Sequence, residues 1–372
     1  VVAATIGVLG SSYAIFGGLK SVAVSDTLNG IGLLIGGLSI PFLALTSLGH
    51  GSFIEGLSIL GNTNPEYLKV LTQNNLDGNP VSVPWPTLLT GMMFIQIFYW
   101  STNQVIVQRA MAAKSLAEGQ KGVLFASAMK LIGPIMLCLP GIIALHMPDL
   151  NIEKQDQVYG AVVRHVLPDW SLGLFAAVLM GSILSSFNSA LNSASTLFSL
   201  QFYKGYINKT ASDNDIVLTG RKFGVGLALA SILIAPMLAQ LDSIFQYLQK
   251  VNCKYSVPII AIFLLGILTK HIPAIGAKIG MIVGFVSYAY FVFFPVDNFH
   301  WLHTYFISFT WSIMVMLLIG YLNPKSEKEI KESDKREPAP VDMTPWAKAK
   351  QASLVIVIAT VIVYLLLSWV SA

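Results

Sequence analysis

Apolar runs long enough to cross a bilayer recur along this whole chain, and that recurrence leaves few folds open to it. A spanning segment meets no water in the hydrocarbon, so its backbone must close its own hydrogen bonds, which about 20 residues of helix achieve. About ten runs qualify, at residues 1–16, 27–48, 87–107, 122–146, 172–203, 217–238, 244–268, 275–294, 305–322 and 354–370. Of all residues, 54% are hydrophobic and 11% charged, a balance no ordinary soluble domain carries. The expected fold class is an all-α polytopic membrane protein.

Loop charges orient the spans, because cytoplasmic connections retain Lys and Arg during insertion. One alternating set of connections holds Lys20, then Arg109, Lys114 and Lys121, then Lys204, Lys209, Arg221 and Lys222, then Lys270 and Lys278, and finally the basic residues of 325–350. The other set holds only Lys69, Lys154 and Arg164 among a majority of acidic residues. The first set is therefore read as cytoplasmic, with Val1 and Ala372 both toward the outside. The expected location is the plasma membrane, the inner membrane of a bacterium, with lipid as the surrounding partner. The net charge of +4 follows from this topology, and no basic stripe with interleaved aromatics marks a nucleic-acid partner.

Enzymatic chemistry finds no foothold. Zinc spacings, a phosphate-binding glycine loop and a nucleophile elbow are all missing from the sequence, and the six His are scattered. Cys138 and Cys253 fall in or beside spans and imply no disulfide framework. The chain is read as a non-enzyme without a cofactor.

What remains is polarity placed inside the spans. Gly181, Ser182, Ser185, Ser186, Asn188, Ser189 and Asn192 interrupt the run over 172–203, and hydroxyls cost free energy in hydrocarbon unless something answers them. The i, i+3, i+4 spacing of Ser182, Ser185 and Ser186 shares one helical face, which suits either close small-residue packing with bonds back to i−4 carbonyls or a hard cation seeking oxygens. Gln96, Tyr99, Thr102 and Asn103 form a second polar stripe at helical spacing, open to interhelical bonding or to a solute path. Lys130, about two turns inside its run, is expected to be buried and to need acceptors. Gln249, near the start of its run, offers donors and an acceptor that suit a sugar hydroxyl or a solvated helix start. Asp26 opens the second run as an N-cap or, more sharply, as part of an ion path.

Together these stretches resemble the sodium:solute symporter family, and within it the sodium/glucose cotransporter branch. The matching residues are 13–19 with Asp26, Pro84-Trp85-Pro86, Tyr99-Trp100 through 103–109, Ala113-Lys114, Ser185-Ser186 through 191–193, and 245–249. The resemblance implies a partial LeuT-type core of inverted five-helix repeats. Residues 1–48 would be the end of the first repeat (core helices 4 and 5), 49–86 an outer loop, 87–270 the second repeat (core helices 6 to 10), and 271–372 additional helices with a charged cytoplasmic linker at 323–349. Core helices 1 to 3 would precede Val1, so residues 1–372 alone are not expected to run coupled transport. By the same resemblance Tyr99 is the inner gate stacking on a sugar, with Trp100 beside it at a helix break, and Gln96, Lys130 and Gln249 are sugar contacts. Ser185 and Ser186 ligate sodium by their hydroxyls, Ser182 falls where a backbone carbonyl does so, and Asp26 lies near the inner sodium exit. Gln96 departs from the sugar-transporting pattern, which has Asn, and leaves the sugar open. The implied function is sodium-coupled symport of a galactose- or glucose-like sugar. Another solute (inositol, sialic acid, an amino acid or a small anion), or a solute-binding sensor or fragment, is the alternative.

Overall fold

Helix is the architecture of the computed structural model, which describes residues 2–63, 68, 83–150, 152, 154–238, 244–294, 296, 299–334 and 341–370. In chain order the α-helices are α1 (Val2–Leu48), α2 (Phe53–Asn62), α3 (Met93–Ser101), α4 (Gln104–Met111), α5 (Leu116–Lys130), α6 (Gly133–Leu137), α7 (Leu139–Ala144), α8 (Val158–Val166), α9 (Asp169–Leu197), α10 (Asp213–Leu238), α11 (Ile244–Leu268), α12 (Ala274–Phe293), α13 (Thr304–Leu322), α14 (Glu327–Asp334) and α15 (Ala349–Val370). Among the described residues five helices are long and apolar enough to span a membrane, or six when the bent pair formed by α5 with α6–α7 counts as one. Contacts divide the chain into two units, Val1–Leu68 with Phe125–Ile244 and Leu365–Ala372, and Lys69–Leu124 with Phe245–Tyr364.

In the first unit, α1 carries unbroken helical bonding through 47 residues where two separate spans were expected. It is nevertheless not straight. A Cβ on Gly10 would press on Leu184, and one on Gly181 would press on Asn29, so α1 residues 19 apart meet α9 less than one turn apart. A straight helix would separate Gly10 from Asn29 by about 28 Å. The helix therefore bends back somewhere between them, in a stretch that includes Gly17-Gly18, a pair of the kind that permits sharp kinks. The two expected spans survive as two arms of one bonded helix. The second arm runs antiparallel to α9: Asn29 packs at Gly181, Gly32 at Val178 and Gly36 at Phe175.

Gly49, His50 and Gly51 stop α1, with His50 and Gly51 at positive φ (51° and 105°) and the Gly51 amide reaching back to the Thr46 carbonyl at 2.8 Å. Ser52 then caps α2 by accepting from the Glu55 amide at 3.3 Å. Gly56 lies against the Leu45 carbonyl, a backbone approach no side chain would permit. Ile40, Ala44, Leu45, Leu60, Ile143, Val162 and Phe175 close the core of this unit. Beyond Leu197 the helix widens into a π-helical stretch, Phe198–Ile207, whose end is marked by the Asn208 amide bonding the Tyr203 carbonyl five residues back at 2.8 Å.

In the second unit, α12 and α13 lie against each other along a glycine face. Positions Gly276, Gly280 and Gly284, four apart, meet Ile319, Met316 and Ser312 in turn, and Ser308 Oγ donates to the Gly284 carbonyl at 2.7 Å. Phe94, Ile95, Val257, Tyr288, Leu302 and Tyr305 form its core. The foot of α15 is tied to the α4–α5 turn: the Leu116 amide donates to the Asp342 carbonyl at 2.9 Å, and the Trp346 amide to Gln120 Oε1 at 2.8 Å. Hydrogen bonds from Thr344 hold the Asp342 carboxyl below its usual pKa. Above this tie the apolar side chains of α15 are exposed along most of its length, as a lipid-facing helix requires.

Candidate functional site

The polar knot of α9 lies within the first unit, and both arms of α1 converge on it. Asn29 Nδ2 donates to the Gly181 carbonyl at 3.1 Å. The antiparallel register that pairs Asn29 with Gly181 sets Asp26 level with Leu184 and Ser185. Asp26 sits half-buried in the middle of α1, not at a helix start, so the N-cap expected from sequence is absent.

The serines behave as small hydroxyls in membrane helices do. Ser186 Oγ donates to the Ser182 carbonyl at 3.2 Å, Ser189 Oγ to the Ser185 carbonyl at 2.7 Å, and Ser193 Oγ to the Ser189 carbonyl at 2.7 Å. Such a bond spends the hydroxyl hydrogen and leaves oxygen lone pairs, so back-bonding and cation ligation are compatible. Ser185 Oγ makes no hydrogen bond among the described residues, and its side chain is half-buried.

Asn188 is the residue sequence reasoning listed in the knot and did not single out. It is 0% exposed, and neither Oδ1 nor Nδ2 has a hydrogen-bond partner among the described residues. A Cβ placed on Gly10 would lie 3.4 Å from Asn188 Oδ1, so the first arm of α1 passes directly over the amide. A buried amide without partners costs about 1–3 kcal/mol per unmet group, which a ligand would relieve. Among the described residues no three His, Cys, Asp or Glu side chains gather as a metal group. The oxygens open to a cation here are neutral ones, from serine and amide, with the Asp26 carboxylate at the same level.

Lys130 also belongs to the first unit. It is the last residue of α5 and is exposed, contrary to the expectation of a buried ammonium, because the helix ends there and bends by 44° into the α6–α7 segment. Gly133-Pro134 begins the next helix, and the bend puts Lys130 at a helix terminus.

The second unit holds Gln96, Tyr99, Trp100 and Gln249. The helix break expected beside Trp100 is present: α3 ends at Ser101, Asn103 turns extended (φ −68°, ψ 117°), and its side chain caps α4 by accepting from the Val105 amide at 3.0 Å. That break ends the polar stripe at Thr102, so Gln96 and Tyr99 share a helix with each other and not with Asn103. Tyr99 is 37% exposed and meets Trp100 edge to face at 5.7 Å between ring centroids. Gln96 is exposed and Gln249 half-buried on the second turn of α11; the Gln246 side chain lies outside the described residues.

Comparison with known proteins connects these features. The model of the sodium:solute symporter family matches residues 2–284. The chain is 39% identical over 96% of its length to the uncharacterized symporter YidK of Escherichia coli (strain K12), covering 61% of that protein. It is 32% identical over 77% of its length to the sodium/glucose cotransporter of Vibrio parahaemolyticus, covering 55% of it. To the sodium/myo-inositol cotransporter of Mus musculus it is 29% identical over 73% of its length, covering 42%. The chain thus spans about half the length of the curated relatives it matches. A solved structure of a Na+-coupled sialic acid symporter, substrate-bound and outward-open, superposes with a TM-score of 0.72 at 19% identity, over 87% of this chain and 67% of that one. The fold is therefore the LeuT type that the resemblance implied, and the match over most of its length decides the family: this chain belongs to the sodium:solute symporters.

Proposed function

We propose that the protein of which this chain is part couples sodium entry to uptake of a sugar-like polyol by alternating access. The observation that carries this reading is the unmet polarity of the α9 knot: the Asn188 amide and the Ser185 hydroxyl, without hydrogen-bond partners among the described residues, lie within an apolar helix level with Asp26. Sodium is a hard cation that takes oxygen ligands. Ser185 and Ser186 would supply hydroxyl oxygens, Ser182 its carbonyl, and Asn188 Oδ1 an amide oxygen. Asp26 would lower the electrostatic barrier along the ion's route.

On the solute side, Tyr99 offers a partly exposed ring at the end of a broken helix, suited to stacking on a sugar face, with Trp100 packed against its edge. Gln96, Gln249 and the Lys130 ammonium carry the donors and acceptors that a polyol requires. Coupling arises if sodium and solute each favour the state that binds the other, and that preference is reciprocal. The relative from Vibrio parahaemolyticus is named for glucose and the mouse relative for myo-inositol. Both are compact polyols, and a polyol is the solute class favoured here.

Sodium-driven uptake by the full-length protein in proteoliposomes, with galactose, glucose, myo-inositol and sialic acid as competitors, tests the assignment. Competition by the first three and not by sialic acid is expected, and competition by sialic acid alone would overturn it. Ser185→Ala with Ser186→Ala should raise the sodium concentration for half-maximal uptake about tenfold, as loss of about 1.4 kcal/mol of binding does. Unchanged sodium dependence would return these serines to packing. Lys130→Ala should raise the half-saturating solute concentration by about tenfold, since a hydrogen bond from a charged donor contributes about 1.5–3 kcal/mol. Intact solute affinity would remove Lys130 from the site.

A further inference from the structure

Within the second unit a groove of about 660 Å³ opens between the α4–α5 turn and the foot of α15. Its walls are mostly apolar, with Met111, Leu116, Val123 and Leu124 on one side and Val341 and Met343 on the other. That volume lies within the roughly 300–1,000 Å³ of small-molecule sites. Two membrane-directed helices begin here, α5 at Leu116 and α15 at Ala349, and both contribute their first turns to the walls. The groove consequently stands where hydrocarbon gives way to headgroups.

Its rim is basic. Lys114 and Lys121 stand next in sequence to the wall residues Ser115 and Gln120, Lys348 and Lys350 stand on either side of Ala349, and all four are exposed. Two carboxylates adjoin these four cations, Glu118 paired with Lys121 at 2.7 Å and Asp342 accepting from the Thr344 amide at 2.9 Å, so the balance of charge stays positive. Lys121 also sits 5.9 Å from the centre of the Trp346 ring, an aromatic suited to the membrane interface. An apolar trough under an excess of positive charge at headgroup level matches one kind of molecule, with an acyl chain for the trough and a phosphate for the rim.

We propose that this groove is a binding site for one anionic phospholipid, held with a fatty-acyl chain between Leu116 and Met343 and its phosphate against Lys114 and Lys121. Bound there, the lipid bridges the α4–α5 turn to the foot of the last helix, adding to the two hydrogen bonds of the tie. This assignment is independent of the solute and sodium reading.

Native mass spectrometry of the full-length protein, released from mixed phosphatidylglycerol and phosphatidylcholine vesicles, tests the proposal. One phosphatidylglycerol per chain should be retained at least fivefold over phosphatidylcholine. Lys114→Gln with Lys121→Gln, on exposed side chains, should erase that preference, and Ser353→Trp, which fills the trough without touching its charge, should reduce retention of both lipids at least fivefold. Equal retention of the two lipids by the unaltered protein, retention unchanged in both variants, or displacement of phosphatidylglycerol by millimolar inorganic phosphate would each overturn it.

Discussion

Asn188→Leu should raise the sodium concentration for half-maximal uptake at least tenfold while leaving the sodium-free protein as stable as before, or more so. The two parts of this result rest on the same pair of atoms. Leucine has the same branched skeleton of heavy atoms as asparagine, so contact with Gly10 is kept. Both amide atoms lack partners among the described residues, and their removal relieves a burial penalty of about 1–3 kcal/mol per group. A purely structural asparagine would give the stability gain with no change in sodium dependence. Uptake titrated against sodium, read beside a thermal melt in sodium-free detergent, separates the two; an unaltered sodium requirement would exclude Asn188 from the ion site.

Gly284→Leu should lower stability by about 2–4 kcal/mol, combining overpacking of about 1–3 kcal/mol with the loss of one hydrogen bond of about 1 kcal/mol. The new Cβ would fall on Ser312 Oγ and within 2.9 Å of Pro258 Cγ, and it would displace Ser308 from the Gly284 carbonyl. Gly266→Leu is the matched control, because a Cβ at Gly266 meets nothing within 4 Å. The melting temperature of the first variant should drop by several degrees and the second should stay near the parent. Equal melting temperatures for the pair would show that the α12–α13 contact tolerates side chains at its centre.

Much of the fold was legible because the bilayer imposes a length and a polarity that any sequence must declare. The apolar runs over 244–268 and 275–294 reappear as α11 and α12 within one residue at each end, and the run over 217–238 as α10, which starts four residues earlier. The break after Trp100 was legible through the resemblance, and its local cause is a capping Asn at 103. The bend after Lys130 was not foreseen, although Gly133-Pro134 is a local signal for it. Without that bend Lys130 looks buried. The state of Asn188 had no local signal, because whether an amide finds a partner depends on what packs over it, here Gly10, in an arm of α1 178 positions earlier. Hydroxyl spacing marks one face of α9, but only the packed helices distinguish a serine that has spent its proton, Ser186, from one that has not, Ser185.

The π-helical stretch at Phe198–Ile207 bears on which changes of length this fold can absorb. A π turn holds about one residue more than an α turn, so deleting a single residue there returns the segment to α-helix and leaves α9 before it in register. The same deletion between Gly276 and Gly284 would rotate everything after it by about 100°, turning one glycine away from Met316 or Ser312 and a bulky neighbour toward it. Single-residue deletions should therefore be tolerated just beyond the C-terminal end of α9 and rejected in the middle of α12. A helix that already carries a surplus residue has somewhere to lose one.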